Sequence, residues 1–136
     1  GIIEKPIGRS PFNRKKMAIS PRGKIAITKW KVLEVYAPLA SLIECKLETG
    51  KTHQIRVHLS DMGHGIIGDD LYGKSFSENR YRDNTYKEKL QLIKSFKRQA
   101  LHATKLSLNH PITKQYIEFI SPLPKDINQL IKVLKK

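Results

Sequence analysis

The segment between Gly50 and Gly63 constrains the fold of this chain more than any other stretch. Its apolar residues recur at helical spacing: Ile55, Leu59 and Met62. Every second residue from 55 to 59 is also apolar, so a β-strand is the alternative. Because the run from 52 to 62 is longer than a typical strand and Gly63 can end a helix, the pattern predicts a helix with Thr52 as its N-cap.

Arg56 stands beside this apolar stripe, where its stem can be buried while its guanidinium faces a cleft. Residues 64–73 follow and contain several glycines. We expect Ile66 and Ile67 to be buried there, and the Asp-Asp-Leu-Tyr sequence at 69–72 to form a turn. The segment therefore predicts a helix and a turn around one arginine.

The first residues of the chain, 1–23, combine six lysines and arginines with three prolines. Proline repeatedly prevents a helix, so an extended basic loop is expected. Arg9 and Arg14 in this loop are candidates for contacts with phosphate groups, which supply affinity without sequence specificity. A solvated linker is the alternative.

The remaining segments predict an α+β fold with a mixed, largely antiparallel sheet and a few packed helices. Residues 24–47 alternate as two strands joined at Pro38, and Cys45 is a small core residue of the second. The other expected elements are a mobile surface loop at 75–84, a helix from Tyr86 capped by Thr85, strands at 99–108 and 115–120 joined by a turn at 110–113, and a final helix capped by Asp126. The apolar stripe of this final helix is the clearest in the chain: Ile127, Leu130, Ile131 and Leu134.

We expect residues 1–136 to form one domain, with the basic segment 1–23 preceding the sheet and helices of 24–136.

The net charge of +14 and the pI of about 10.0 make nucleic acid the leading partner and an anionic membrane the second. A lysine-rich surface without any polyanionic partner is the alternative. No apolar run is long enough to span a bilayer, and the start of the chain does not resemble a signal peptide. The single cysteine is typical of a reducing compartment, so the cytoplasm is expected.

Several reaction classes are disfavoured by spacing. His53 and His58 are five residues apart, which separates them on a helix, so no metal site is predicted. A Gly-x-Ser-x-Gly nucleophile elbow is absent, and Cys45 lies in an apolar strand. The Gly-Lys-Thr at 50–52 lacks the first glycine of a phosphate-binding loop, because Cys45 stands at that position.

The motifs of the chain, taken together, identify a family. Thr-Gly-Lys-Thr-His-Gln-Ile-Arg-Val-His-Leu at 49–59, Gly-His-Gly-Ile-Ile-Gly-Asp at 63–69 and Tyr-Gly at 72–73 resemble the signature of the RluA-type pseudouridine synthases. Pro-Ile-Gly-Arg at 6–9, Arg-Gln-Ala-Leu-His-Ala at 98–103 and His-Pro-Ile-Thr at 110–113 resemble the same family in the same order. The resemblance covers nearly the whole chain and is strongest to members that modify large-subunit ribosomal RNA.

This resemblance implies isomerisation of uridine to pseudouridine in RNA, without metal or cofactor, by a nucleophilic aspartate in an Arg-Leu-Asp segment. That segment does not occur here, and the aspartates present stand in other contexts: Asp61, Asp69, Asp70, Asp83 and Asp126. The chain, which begins at Gly1, therefore resembles the C-terminal part of a catalytic domain and is expected to be inactive alone. Arg56 matches the arginine that pairs with the catalytic aspartate, and it is expected to have no such partner within this chain.

The same resemblance suggests further residues that bind RNA. Ile66 or Ile67 would form an apolar wall for the base, with simple core packing as the alternative. The remaining candidates would organise the helix or contact the RNA backbone: Lys51, His53, Gln54 and His58. Gly65 replaces a usual proline and Lys51 a common arginine. A non-catalytic RNA-binding module on the same scaffold is the alternative function.

Overall fold

Short antiparallel strands and helices form the computed structural model, which describes residues 1–73 and 86–136. The strands are β1 (Ile2–Glu4), β2 (Ile7–Arg9), β3 (Met17–Ile19), β4 (Ile27–Tyr36), β5 (Ala40–Leu47), β6 (Lys105–Asn109) and β7 (Tyr116–Ile120). The helices of the described residues are α1 (Gln54–Asp61), α2 (Lys87–Ser95) and α3 (Lys125–Lys135). The predicted α+β class is confirmed, and the strand pairs of the described ranges are antiparallel.

The predicted hairpin at 24–47 is confirmed as β4 and β5, which pair from Thr28 opposite Leu47 to Tyr36 opposite Ala40. A β-bulge interrupts the register between Val32 and Glu34. Strand β1 adds to the other edge of β4, giving a three-stranded sheet in the order β1, β4, β5. This sheet is the surface on which α1 is placed.

The basic segment 1–23 is more ordered than the predicted loop, because it contains β1, β2 and β3. Strands β2 and β3 pair with each other, and Ile3 and Ile7 are buried. The prolines that disfavour a helix lie between these strands rather than within them. The solvated-linker alternative is therefore wrong, since burial of the apolar side chains attaches this segment to the domain.

Helix α1 confirms the helical interpretation over the strand alternative, but its start and its buried face differ from the prediction. The N-cap is His53, in the left-handed conformation with φ of 57°, rather than Thr52. The buried face carries Gln54, Val57, His58 and Leu59, so polar side chains replace much of the predicted apolar stripe. Gly63, with φ of 88°, ends the helix as predicted.

Helices α2 and α3 pack against the turn end of the β4–β5 hairpin. The core there consists of Tyr36, Leu39, Leu90, Ile93, Leu130 and Leu134. The predicted cap of α3 is wrong: Pro124 is the N-cap, and the Asp126 carboxylate instead accepts hydrogen bonds from Arg98. The predicted loop at 75–84 and the predicted cap Thr85 lie outside the described residues.

The predicted strands at 99–108 and 115–120 are shorter in the structure, where they form the hairpin of β6 and β7. Residues 99–104 are not a strand because the segment packs elsewhere: the Ala100 N–H donates to the Ile67 carbonyl at 2.8 Å. This contact places the residues after α2 beside the glycine-containing segment 64–73.

Candidate functional site

Arg56 and Asp69 form a two-pronged ion pair at the centre of the site. The Arg56 Nε donates to Asp69 Oδ2 at 2.7 Å, and Nη2 donates to Asp69 Oδ1 at 2.7 Å. The Arg56 side chain is 15% exposed and the Asp69 side chain 0%. The sequence analysis did not anticipate this carboxylate, which the loop after α1 brings to Arg56 by folding back. The pairing of Arg56 with a catalytic aspartate outside the chain stays a prediction.

The Asp69 carboxylate is ionised although it is buried. Burial alone would raise the pKa of Asp69, but hydrogen bonds from Arg56 and from the backbone N–H groups of Tyr72 and Leu71 outweigh it and lower that pKa. The backbone donors lie 3.0 and 3.1 Å from Asp69 Oδ1. The hydrogen bond to Asp69 in turn raises the pKa of Arg56. Both groups are therefore charged at neutral pH.

Gly68 fixes the position of Asp69 relative to the segment after α2. Its φ is 72°, which side chains rarely tolerate, and a Cβ at this position would lie 2.1 Å from the Arg98 carbonyl oxygen. Two chain segments thus meet without space for even a methyl group. Glycine at 68 is required for the loop to approach this closely while presenting Asp69 to Arg56.

Tyr72 covers one face of the Arg56 guanidinium, with 4.8 Å between Arg56 Cζ and the ring centroid. Its hydroxyl accepts a hydrogen bond from the Met17 N–H at 2.8 Å and shares another, also 2.8 Å, with His53 Nδ1. The His53 ring stands edge-on to Tyr72 at 5.5 Å. Tyr72 was not among the predicted site residues, although the Tyr-Gly pair that ends the glycine-containing segment was a signal for it.

Gln54 and His58 were predicted to contact substrate or organise the helix, and the structure supports only the second role. His58 is completely buried, with Nδ1 2.9 Å from Thr28 Oγ1 and Nε2 3.1 Å from the Lys5 carbonyl. The Gln54 amide donates to Thr28 Oγ1 and to the Ile27 carbonyl, each at 3.0 Å. The assignment of these two side chains to RNA binding is wrong, since both are enclosed between α1 and β4.

Each hydrogen bond between the side chains of this cluster can be assigned a donor and an acceptor. Since the Lys5 carbonyl can only accept, His58 Nε2 carries the proton and Nδ1 accepts from the Thr28 hydroxyl. Thr28 Oγ1 in turn accepts from Gln54. The Gln54 carbonyl oxygen accepts from the Thr49 hydroxyl and the Lys51 N–H, both at 2.9 Å. These bonds fix α1, and therefore Arg56, against the sheet.

The other predicted residues are distributed around the ion pair. Lys51 and His53 lie in the turn that leads into α1, and Arg9 and Arg14 lie exposed on the β2–β3 hairpin, where Arg9 Nη1 donates to the Arg14 carbonyl at 3.3 Å. Ile67 packs against the core of α2 and α3, which favours the simple packing alternative for this residue. Ile66 is only half-buried. Its contact with a base stays a prediction.

Lys16, which was not predicted, lies with its Nζ 6.0 Å from the centroid of the Tyr72 ring. Cys45 lies in β5, where burial raises the pKa of its thiol, so it is not poised as a nucleophile. Within residues 1–73 and 86–136, no three His, Cys, Asp or Glu side chains cluster closely enough to hold a metal ion. No helix in the same part of the chain has the length and apolarity needed to cross a membrane.

Known proteins with similar sequences are RNA-modifying enzymes. The sequence model of the RNA pseudouridylate synthase family matches residues 1–61. Ribosomal large subunit pseudouridine synthase D of Pasteurella multocida is 42% identical over 135 residues, which are 99% of this chain and 40% of the relative. The same enzyme of Zymomonas mobilis is 44% identical over 138 residues, covering 98% of this chain and 40% of the relative. The chain thus spans about two fifths of the length of these curated relatives.

Two solved human structures share the fold. Human RNA Pseudouridylate Synthase Domain Containing 4 is 26% identical with a TM-score of 0.69, and the match covers 99% of this chain and 56% of that one. Human RNA Pseudouridylate Synthase Domain Containing 1 is 27% identical with a TM-score of 0.63, covering 99% and 59%. The motifs and the fold therefore agree in making this chain similar to RNA pseudouridine synthases over nearly its whole length.

Proposed function

We propose that this chain is part of a cytoplasmic RNA pseudouridine synthase that isomerises uridine in large-subunit ribosomal RNA. Its role in the site is to present Arg56 to a nucleophilic aspartate that lies in a segment outside these 136 residues. The curated relatives are named for the large ribosomal subunit, and the excess of positive charge suits an RNA substrate.

One observation carries the proposal: the Arg56 guanidinium is only half used. Asp69 engages Nε and one proton of Nη2, and among the described residues none accepts a hydrogen bond from Nη1. With respect to the described residues, the edge formed by Nη1 and Nη2 can make a second fork with another carboxylate. A nucleophilic aspartate in a partly dry cleft needs such a partner to stay ionised and correctly oriented.

Three of the five aspartates in this chain are already engaged with other groups of the chain. Asp69 is buried, and its carboxylate oxygens accept hydrogen bonds from the Arg56 side chain and from the backbone N–H groups of Leu71 and Tyr72. Asp61 pairs with Lys5, and Asp126 pairs with Arg98. These pairings support the proposal that catalysis requires an Arg-Leu-Asp segment beyond this chain and that the 136 residues are inactive alone.

Release of tritium from ribosomal RNA labelled at C5 of uridine tests the proposal, because isomerisation exchanges that position. The complete reading frame that encodes this chain should release tritium, and the 136-residue chain should not. Release by the 136 residues alone would show that the nucleophile is within them. A complete protein that binds the RNA without release would favour the non-catalytic RNA-binding module.

A further inference from the structure

An open pocket of about 480 Å³ lies between the β2–β3 hairpin and the turn before α1. Three cationic side chains line it: Arg22, Lys24 and Lys51. None of its lining residues is acidic and none is aromatic. The pocket therefore attracts an anion, and it provides no ring on which a base could stack.

Among the described residues, these three cations have no carboxylate partner, and the pocket brings them together. In the described part of the chain, ion pairs join Lys5, Lys29, Arg98, Lys105 and Lys135 to acidic side chains. No ion pair between described residues includes the side chains of Arg22, Lys24 or Lys51, and these side chains donate no hydrogen bond to a described residue. No carboxylate of residues 1–73 or 86–136 pairs with them to offset their mutual repulsion.

The floor of the pocket is a close crossing of two backbone segments. Ile7 and Lys24 exchange two backbone hydrogen bonds of 2.9 Å. A Cβ on Gly23 would lie 2.4 Å from the Ile7 carbonyl carbon, and one on Gly8 would lie 3.3 Å from the Gly23 Cα. Glycine at 23 is therefore needed for the crossing. This contact fixes the spacing between the hairpin and the segment that carries Arg22 and Lys24.

Direct contacts connect the pocket to the Arg56 site. Met17 lines the pocket, and its N–H donates to the hydroxyl of Tyr72, whose ring covers the Arg56 guanidinium. Lys51 lies in the turn that leads into α1 and donates its N–H to the Gln54 side chain. The pocket and the Arg56 site are therefore joined through Met17 and Tyr72 on one side and through Lys51 and Gln54 on the other.

We infer that the pocket formed by Arg22, Lys24 and Lys51 binds a backbone phosphate of the RNA next to the nucleotide that reaches Arg56. This inference rests on the proposed function for its choice of RNA. The open shape suits a continuous chain rather than an enclosed small molecule, and the absence of lining aromatic rings favours phosphate over base. The contacts add affinity and position the substrate without reading its sequence.

The test compares two triple variants of the complete reading frame, each of which lowers the formal charge by the same amount. The first is Arg22→Gln, Lys24→Gln and Lys51→Gln. The matched control removes exposed lysines from β4, β5 and α3: Lys31→Gln, Lys46→Gln and Lys132→Gln. Affinity for a ribosomal RNA fragment is measured over a series of salt concentrations, alongside tritium release by the unmodified protein.

Each lost phosphate contact should reduce the slope of log affinity against log salt by about 0.7, and affinity near 0.1 M salt by about fivefold. The pocket variant, which loses its contact with one phosphate, should thus lose about fivefold in affinity. The control variant should lose much less affinity. A variant with Arg22→Lys and Lys51→Arg keeps the charges and should retain most of the slope of log affinity against log salt. Equal slopes in pocket and control variants would overturn the inference, while an unchanged unfolding midpoint shows that folding is intact.

The two proposals fail in different ways. If the unmodified protein releases tritium but the pocket variant behaves like the control, the proposed function stands and the phosphate site is ruled out. If the unmodified protein releases no tritium but the pocket variant shows the reduced slope of log affinity against log salt, the phosphate site stands and the proposed reaction is ruled out.

Discussion

Two arginines in this chain make nearly the same fork with an aspartate, in very different surroundings. Arg56 contacts Asp69 with two hydrogen bonds of 2.7 Å, and Arg98 contacts Asp126 with bonds of 2.7 and 2.8 Å. The first pair is 15% and 0% exposed, the second 42% and 44%. Equal geometry does not give equal consequences, because solvent screens the second pair and hardly reaches the first.

The forks also differ in what the remaining donor does. Arg98 Nη1 donates to the Gln99 carbonyl at 3.2 Å, so this arginine connects α3 to the segment after α2. In the described ranges no such acceptor faces Arg56 Nη1. The Arg98 fork has acceptors for all three of its nitrogen atoms, whereas Arg56 Nη1 has no acceptor among the residues that the structure describes. An exposed arginine can thus be purely structural while a largely buried one is available for chemistry.

The largest expected effect comes from removing one carboxylate from each fork. Asp69→Ala leaves the Arg56 charge and two backbone N–H groups without their acceptor in a mostly dry site, so the free energy of unfolding should fall by about 3 kcal/mol. Asp126→Ala should cost far less, and its cost should shrink further at high salt. Denaturant unfolding of the complete protein measures both, and equal losses would contradict the distinction between the forks.

The second effect concerns turnover. Arg56→Lys in the complete protein replaces a planar fork with a point charge, so tritium release should fall roughly a hundredfold, equivalent to about 2.7 kcal/mol on the barrier. Affinity for RNA should change by no more than about threefold, because one positive charge is retained. Arg98→Lys is the matched control and should leave turnover unchanged. Parallel losses of turnover and affinity would assign Arg56 to binding instead.

The smallest effect is the dependence of stability on acid. Hydrogen bonds lower the pKa values of Asp69 and Asp126, for Asp69 against the opposing effect of burial. A carboxyl group whose pKa is lower in the folded state stabilises the protein above its unfolded pKa, and that stability is lost as the pH falls through the folded value. Asp69→Asn should therefore flatten the loss of stability below about pH 4. Unfolding midpoints measured from pH 6 to pH 2 test this, with Asp126→Asn for comparison.

Periodicity predicted the parts of this fold in which apolar side chains alternate or recur. The β4–β5 hairpin, the final helix and the stop at Gly63 follow from such patterns. The strands of the first 23 residues escaped prediction because they are three residues long and lie between prolines. Elements that short carry no measurable period and depend on pairing with distant strands.

The site was predictable only in part. Arg56 was found through its motif, but its partner Asp69 depends on the path of a glycine-containing loop, which no helical or strand period encodes. Gln54 and His58 were misassigned because polar residues on a helix usually face solvent. Here they face the sheet, where Thr28 of β4 and the Lys5 carbonyl that follows β1 form hydrogen bonds with them. Such complementarity arises only after the sheet has formed.

The contact at Gly68 has a thermodynamic consequence for ligand binding. The loop that carries Asp69 rests directly on the carbonyl of Arg98, with no space for a methyl group between them. Arg56 is therefore held in its orientation before any substrate arrives. Because Arg56 is already ordered, it loses little conformational entropy when RNA binds. Almost all of the interaction energy of its guanidinium therefore contributes to the affinity for the bound group.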